Sequence, residues 1–333
     1  MSSTMKRIAA ELGVSVTTIS KVLNHHADIG PATRARVLAR VEELGYRPNA
    51  VARSLTLRRT HTLGVIIPDL MHSFFVEVVA GLEAVASARG YGLLLCVSGE
   101  DPKKERAEID VLRARQVDGI VLASANAASN AALLKDVAAQ GIGLVMIDRD
   151  DHPQVRCHRV LTDDAKVGAL ATGHLIARGR RAIAHIAGPA IVHAKRREDG
   201  YRETLRAAGI KIRPERIVPG GFMEADGYRA MQTLLQREVK VDGVFAVNDP
   251  AAIGAMKAIW DHGLRVPDDI AVVGAGDVAY SDLIRVPLTT VRWSKRDLGR
   301  IAAELILDQM GSTRTVRARR VIIPPELVVR SSS

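Results

Sequence analysis

From Thr62 onward the chain alternates short apolar runs with longer amphipathic stretches, and that alternation leaves few folds open. Leu63-Gly64-Val65-Ile66-Ile67 reads as a buried strand. Residues 75–89 then set Phe75, Val78, Val79, Leu82, Val85 and Ala86 at helical spacing before Gly90 stops the helix. A strand at 91–97, a helix at 102–115, a strand at 118–123, a helix at 129–140 and a strand at 142–147 follow. A second series begins with a strand at 182–188 and continues through helix 194–208, strand 216–219, helix 226–236, strand 242–247, helix 250–262 and strand 270–274. Such apolar strands, separated by helices, pair in parallel and are covered on both faces. The two series form a loose internal repeat, which implies two similar lobes with a cleft between them. Ligands bind such lobes at the carboxyl ends of the strands. Cys96, inside Leu93–Val97, reads as a small core residue, and with Cys157 it makes no disulfide framework.

The first sixty residues follow another pattern. Ile8, Ala9 and Leu12 give a short helix an apolar side, and Gly13 can take the left-handed backbone of a tight inter-helix turn. Ser15 is placed to cap the next helix, on which Ile19, Val22 and Leu23 share one face. Val16, Thr17 and Lys21 are left pointing outward. Short side chains with one cation on an exposed helix suit a reader of the DNA major groove, although a helical hairpin with a solvated face would use the same residues. After Asp28-Ile29-Gly30-Pro31, a third helix at 32–44 carries Val37, Leu38, Val41 and Leu44. Tyr46-Arg47-Pro48-Asn49 ends the unit, and residues 50–55 form a helix too short to stand alone.

Charge separates these readings. The chain carries a net +10, and its first sixty residues hold ten basic side chains against four acidic ones, so most of the excess lies on this small unit. That is where an electrostatic footprint for phosphates would sit. No segment has the pattern of a secretion signal or the length of a membrane span, so a cytoplasmic, nucleoid-associated protein with no membrane partner is expected.

Several ordered blocks resemble the LacI/GalR family of bacterial transcription regulators. They are Ile8-Ala9 with Gly13-Val14-Ser15 and Thr18–Asn24, Leu44–Asn49, Ala50–Leu55, His174-Leu175, Gly188-Pro189, Arg197 with Gly200-Tyr201, Asn248-Asp249 and Pro287–Val291. The resemblance implies a small all-α three-helix helix-turn-helix head and an α/β periplasmic-binding-protein-like body of two doubly wound parallel-sheet lobes. It implies a head at 1–48, a hinge helix and linker at 49–61, and a body at 62–330. The first lobe would be 62–160 plus 293–320 and the second 162–291 plus 322–330, with crossings near Leu161, Arg292 and Val321. With no heptad tail after Arg330, a homodimer is expected on a double-stranded, palindromic operator.

On the DNA side, the family positions give Val16, Thr17 and Lys21 to base edges. Ser15, Thr18, Ser20, Asn24, Thr33, Tyr46 and Asn49 go to phosphates. Ala52 and Leu55 go to a minor-groove wedge, for which the alternative is a staple of Leu55 onto the body. On the small-molecule side they give Asp69, Phe74, Phe75, Asp148, Arg197, Phe222, Asp249, Asp277 and Trp293 to an effector in the cleft. Aromatics with carboxylates and one arginine suit a sugar or a related metabolite, although each carboxylate alone could instead cap a helix. One departure stands out. Gly274-Ala275-Gly276-Asp277 lacks an aromatic and an acid that many sugar-binding members carry, while Lys195-Arg196-Arg197 adds positive charge, which tilts the expectation towards a sugar acid or phosphate.

Two other classes are weaker. Gly274-Ala275-Gly276-Asp277-Val278-Ala279 spells a dinucleotide fingerprint, but Pro287 intervenes before any helix could receive a pyrophosphate, so an NAD-dependent enzyme is disfavoured. A plain solute-binding protein would not need the basic head. The ten histidines show no metal spacing, and no cofactor and no catalytic residue are expected.

Overall fold

The computed structural model describes residues 5–23, 26–46, 54, 59–71, 73–124, 130–149, 154–237, 239–312 and 317–333. The chain divides into two compact units, Met1–Thr60 and His61–Ser333.

In the first unit, helices α1 (Met5–Leu12), α2 (Val16–Leu23) and α3 (Pro31–Glu43) enclose a small core of Ile8, Ala9, Ile19, Val22 and Val37. Gly13 makes the turn between α1 and α2 at φ +64°, a conformation that costs a Cβ-free residue nothing. The Ser15 hydroxyl accepts from the Thr18 amide at 3.0 Å and so satisfies an orphan donor of α2. Leu38, expected in the core, is 40 % exposed on the outer side of α3.

The second unit holds two six-stranded sheets. The first lobe runs β1 (Thr62–Ile67), α4 (Ser73–Ala88), β2 (Gly92–Val97), α5 (Pro102–Ala114), β3 (Gly119–Leu122), α6 (Ala131–Ala139), β4 (Gly143–Ile147) and β5 (His158–Thr162). The second runs α7 (Asp164–Ala177), β6 (Ile183–Ala187), α8 (Val192–Ala207), β7 (Ile217–Pro219), α9 (Glu224–Gln236), β8 (Gly243–Ala246), α10 (Asp249–Asp261), β9 (Ala271–Ala275) and β10 (Thr289–Arg292). The chain returns to the first lobe for α11 (Lys295–Gly311) and β11 (Arg320–Ile323), and ends on the second with β12 (Glu326–Val328). The strand orders are β11-β5-β4-β3-β1-β2 and β12-β10-β9-β8-β6-β7.

Two expectations change. β12 pairs antiparallel with β10, so the second sheet is not wholly parallel. Leu161 pairs with Ile322, and Val321 with Val160, inside the first sheet. The first and third crossings therefore come after Thr162 and after Ile323, where Pro324-Pro325 has no amide with which to prolong a strand. Three chain crossings join the lobes, and the carboxyl ends of their strands position the site. Among the described residues no helix is long and apolar enough to cross a membrane.

Candidate functional site

The outward face of α2 is built by what the other face buries. Ile19 and Val22 are fully enclosed, which leaves Val16 and Thr17 exposed and Lys21 partly so. Lys21 is not free: its Nζ donates to Asp28 Oδ2 at 2.5 Å, and this bond holds the Asp28 carboxyl below its ordinary range. The Thr18 and Ser15 hydroxyls lie 2.9 Å apart, and the Tyr46 ring leans on the head core. Ser20 and Thr33 are partly exposed. Much of the remaining charge is structural. Arg40 spans Glu11 and Glu43 at 2.7 Å each, and Arg7 holds Glu11 at 2.9 Å. Asn24, Asn49, Ala52 and Leu55 lie outside the described residues.

In the second unit the carboxyl ends of the two sheets face a cleft of about 770 Å³ of empty space, its open mouth included. Seven of the nine expected effector residues line it: Asp69, Phe74, Phe75, Asp148, Arg197, Phe222 and Trp293. Phe74 meets Phe75 edge-on at 4.9 Å between ring centroids and lies 6.0 Å from Trp293. Arg197 projects from α8, donating to Asp164 at 2.9 Å and to the Val247 carbonyl at 2.8 Å, with its guanidinium 4.9 Å from the Trp293 ring centre. Burial pushes the Asp164 carboxyl up to about 7, although Arg197 pulls it down. Asp148 adopts a left-handed φ of +64° at the end of β4, and burial raises its carboxyl too.

Asp249 and Asp277 are placed elsewhere. Asp249 is fully buried below the cleft floor, accepting from the Thr290 hydroxyl at 2.5 Å and from the Val278 amide at 2.8 Å. It fits there because Gly274 has no side chain: a Cβ at that position would lie 2.3 Å from Asp249 Oδ1. Burial raises its carboxyl to about 6. Asp249 thus braces the 276–278 loop, while its neighbour Asn248 caps α10 and lines the cleft. Asp277 turns to Arg330 at 2.7 Å and lines a separate outer groove. Lys195 and Arg196 do not line the cleft either. Lys195 is exposed and paired with Asp199 at 2.7 Å, so of the three adjacent cations that favoured an acidic ligand only Arg197 is at the site.

Other lining residues escaped the sequence. Arg149 clamps Glu100 with two bonds of 2.6 Å, and Lys295 links Glu77 of α4 at 2.7 Å to the Asp277 carbonyl of the second lobe at 2.9 Å. His193 stacks on Phe222 at 5.4 Å, and Tyr280 donates to Glu224 at 3.1 Å. His193 stands one helical turn before Arg197, so i, i+4 spacing could have found it. Glu100 follows β2 at its carboxyl end, where the rule for open sheets directs attention. Burial holds His193 well below its ordinary value, so the ring is neutral. Its Nδ1, the Ser73 Oγ and the Trp293 Nε1 are buried polar atoms with no partner among the described residues, and all three residues line the cleft.

A helical DNA-reader head and a two-lobed binding body are also what known proteins show. Residues 4–49 match the bacterial regulatory proteins of the lacI family, and residues 172–333 match the periplasmic binding protein-like domain. The HTH-type transcriptional repressor PurR of Pasteurella multocida (strain Pm70) is 33 % identical over 332 residues, spanning 99 % of this chain and 98 % of that protein. The ribose operon repressor of Escherichia coli (strain K12) is 32 % identical over 99 % of this chain and all (100 %) of its own. Among solved structures, the lac repressor dimer bound to operator and the anti-inducer ONPF superposes with a TM-score of 0.88 at 27 % identity, covering 100 % of this chain and 99 % of that one. A complex of the transcriptional regulator CelR with cellobiose gives 0.76 at 32 % identity, covering 99 % and 100 %. The chain belongs to the LacI family of bacterial regulatory proteins, and is a DNA-binding transcriptional regulator, not an enzyme.

Proposed function

We propose that this regulator represses transcription as a homodimer on a palindromic operator, and that a small neutral polyol, a sugar in the first instance, switches it from the cleft. The carrying observation is the set of polar atoms on Ser73, His193 and Trp293 that have no partner among the described residues and lie beside stacked aromatic faces. Buried polar groups left without partners cost free energy, and a ligand rich in hydroxyls relieves that cost. Each cation of the lining already has a carboxylate: Arg149 has Glu100, Arg197 has Asp164 and Lys295 has Glu77. An anionic ligand would have to displace one of these, whereas a neutral ring fits between them. The relatives agree in kind, since one is a ribose operon repressor and another is held with cellobiose.

On the DNA, Val16, Thr17 and Lys21 read base edges, with Ser15, Thr18, Ser20, Asn24, Thr33, Tyr46 and Asn49 on phosphates. Ala52 and Leu55 wedge into the minor groove. The protein works in the cytoplasm, on the nucleoid, and uses an effector but no cofactor. Coupling is a population shift: the ligand favours one separation of the lobes, and with it one state of the hinge. Titration calorimetry with neutral pentoses and hexoses against sugar acids and sugar phosphates tests the ligand class. Binding confined to the acids and phosphates would overturn it.

A further inference from the structure

We propose that Asp28 is a specificity-determining residue for DNA: it holds the Lys21 ammonium for a base edge and keeps it from the phosphates. This rests on the reading of α2 as the helix that enters the groove. Lys21 lies on the exposed side of α2, and Asp28 reaches it from the connection to α3, with Nζ and Oδ2 2.5 Å apart. Both side chains are open to solvent, at 41 % and 54 %, so the pair sits on the head's surface and adds little to its stability. Among the described head residues, Glu11 and Glu43 pair with arginines of α1 and α3, while Asp28 pairs with α2.

The chemistry of the pair differs from that of a lone lysine. An ammonium has three donors and no acceptor, so one bond to Asp28 leaves two for the O6 and N7 of a guanine. The tether also fixes a flexible four-carbon stem before DNA arrives. At the same time the pair is neutral overall, so phosphates see little of the lysine's charge. Pairing thus turns a cation that any sequence attracts into a directional donor. Val16 and Thr17, one helical turn away, are short enough to leave it room.

The test uses the full-length protein and the variants Asp28→Asn, Asp28→Glu, Lys21→Ala and Asp28→Asn with Lys21→Ala. Each selects from a random-sequence duplex library, and affinities for the duplex the parent selects are measured across a salt series. In Asp28→Asn the preference at one position of each half-site should fall by about tenfold, the value of a modest base contact. The salt slope of the dimer should steepen by about 1.8, about 0.9 for the phosphate taken by the freed lysine of each head. Asp28→Glu should recover the preference, and Asp28→Asn should change nothing further once Lys21 is alanine. An unchanged base preference and slope in Asp28→Asn, or equal effects with and without Lys21, would overturn the proposal. If Lys21→Ala itself selects the parent's sequence, the assignment of α2 fails along with it; if Lys21→Ala loses the preference and Asp28→Asn keeps it, the role of Asp28 alone fails.

Discussion

Replacing Arg197 by alanine should destabilise the body by an amount that depends on pH. The guanidinium makes two buried hydrogen bonds, to Asp164 and to the Val247 carbonyl, and packs over Trp293. Removing one partner of a buried ion pair costs about 3–5 kcal/mol, because the other is left as an uncompensated charge. Here the Asp164 carboxyl already sits at about 7, and without Arg197 it rises further. Below that value Asp164 is protonated in parent and variant alike, so the loss is confined to packing and two hydrogen bonds to uncharged acceptors, about 2–3 kcal/mol. Above it the parent ionises and the variant does not, and the difference grows by about 1.4 kcal/mol per pH unit. The gap between parent and Arg197→Ala should therefore be wider at pH 8 than at pH 6, each pH chosen to bracket the value of about 7. Both tryptophans, Trp260 and Trp293, belong to the body, so fluorescence-monitored urea unfolding reads this unit. Adding Asp164→Asn should restore part of the loss at the higher pH. An equal loss at both pH values, or no recovery in the double variant, would show that the charge of Asp164 does not set the loss.

His185 lies between Tyr201 and Phe245 at 5.2 and 4.8 Å, and burial lowers it from 6.5 to about 4. The unfolded chain binds this proton first, so between pH 6.5 and about 4 the residue costs about 1.4 kcal/mol per unit as pH falls; in His185→Phe the acid side of the stability profile should flatten by that slope, which urea melts across this range would show. Ser73→Ala removes a buried hydroxyl with no partner among the described residues, so the melting temperature should hold or rise while sugar affinity drops about five- to tenfold, as for one lost hydrogen bond; calorimetry and a thermal melt check both. Leu55→Ala should weaken operator binding by about tenfold or more with sugar affinity intact, the cost of a lost apolar wedge, and an unchanged operator affinity would favour the staple.

The head was legible because its signals are local: Gly13 and the Ser15 cap are set within a few residues, and the 8, 19, 22, 37 core shows in the apolar spacing of each short helix. The alternating body was legible for the same reason, and aromatics after strand ends pointed to the cleft. What stayed hidden depends on distant partners. β11 and β12 are only four and three residues long, and become strands only through β5 and β10. Asn248 and Asp249 are adjacent at the start of α10, and one helical step rotates one side chain into the cleft and the other beneath it. Asp277 is drawn away by Arg330, fifty-three residues along, a pairing that no local pattern announces.

Equilibrium linkage tests directly whether cleft and operator are coupled. Operator affinity of the full-length protein should be measured by fluorescence anisotropy with and without a saturating sugar whose seating is reported by Trp293 fluorescence. Sugar affinity should then be measured with and without operator. Each ligand should change the other's affinity by the same factor, about 5- to 150-fold. A sugar that perturbs Trp293 on binding yet leaves operator affinity unmoved would contradict it.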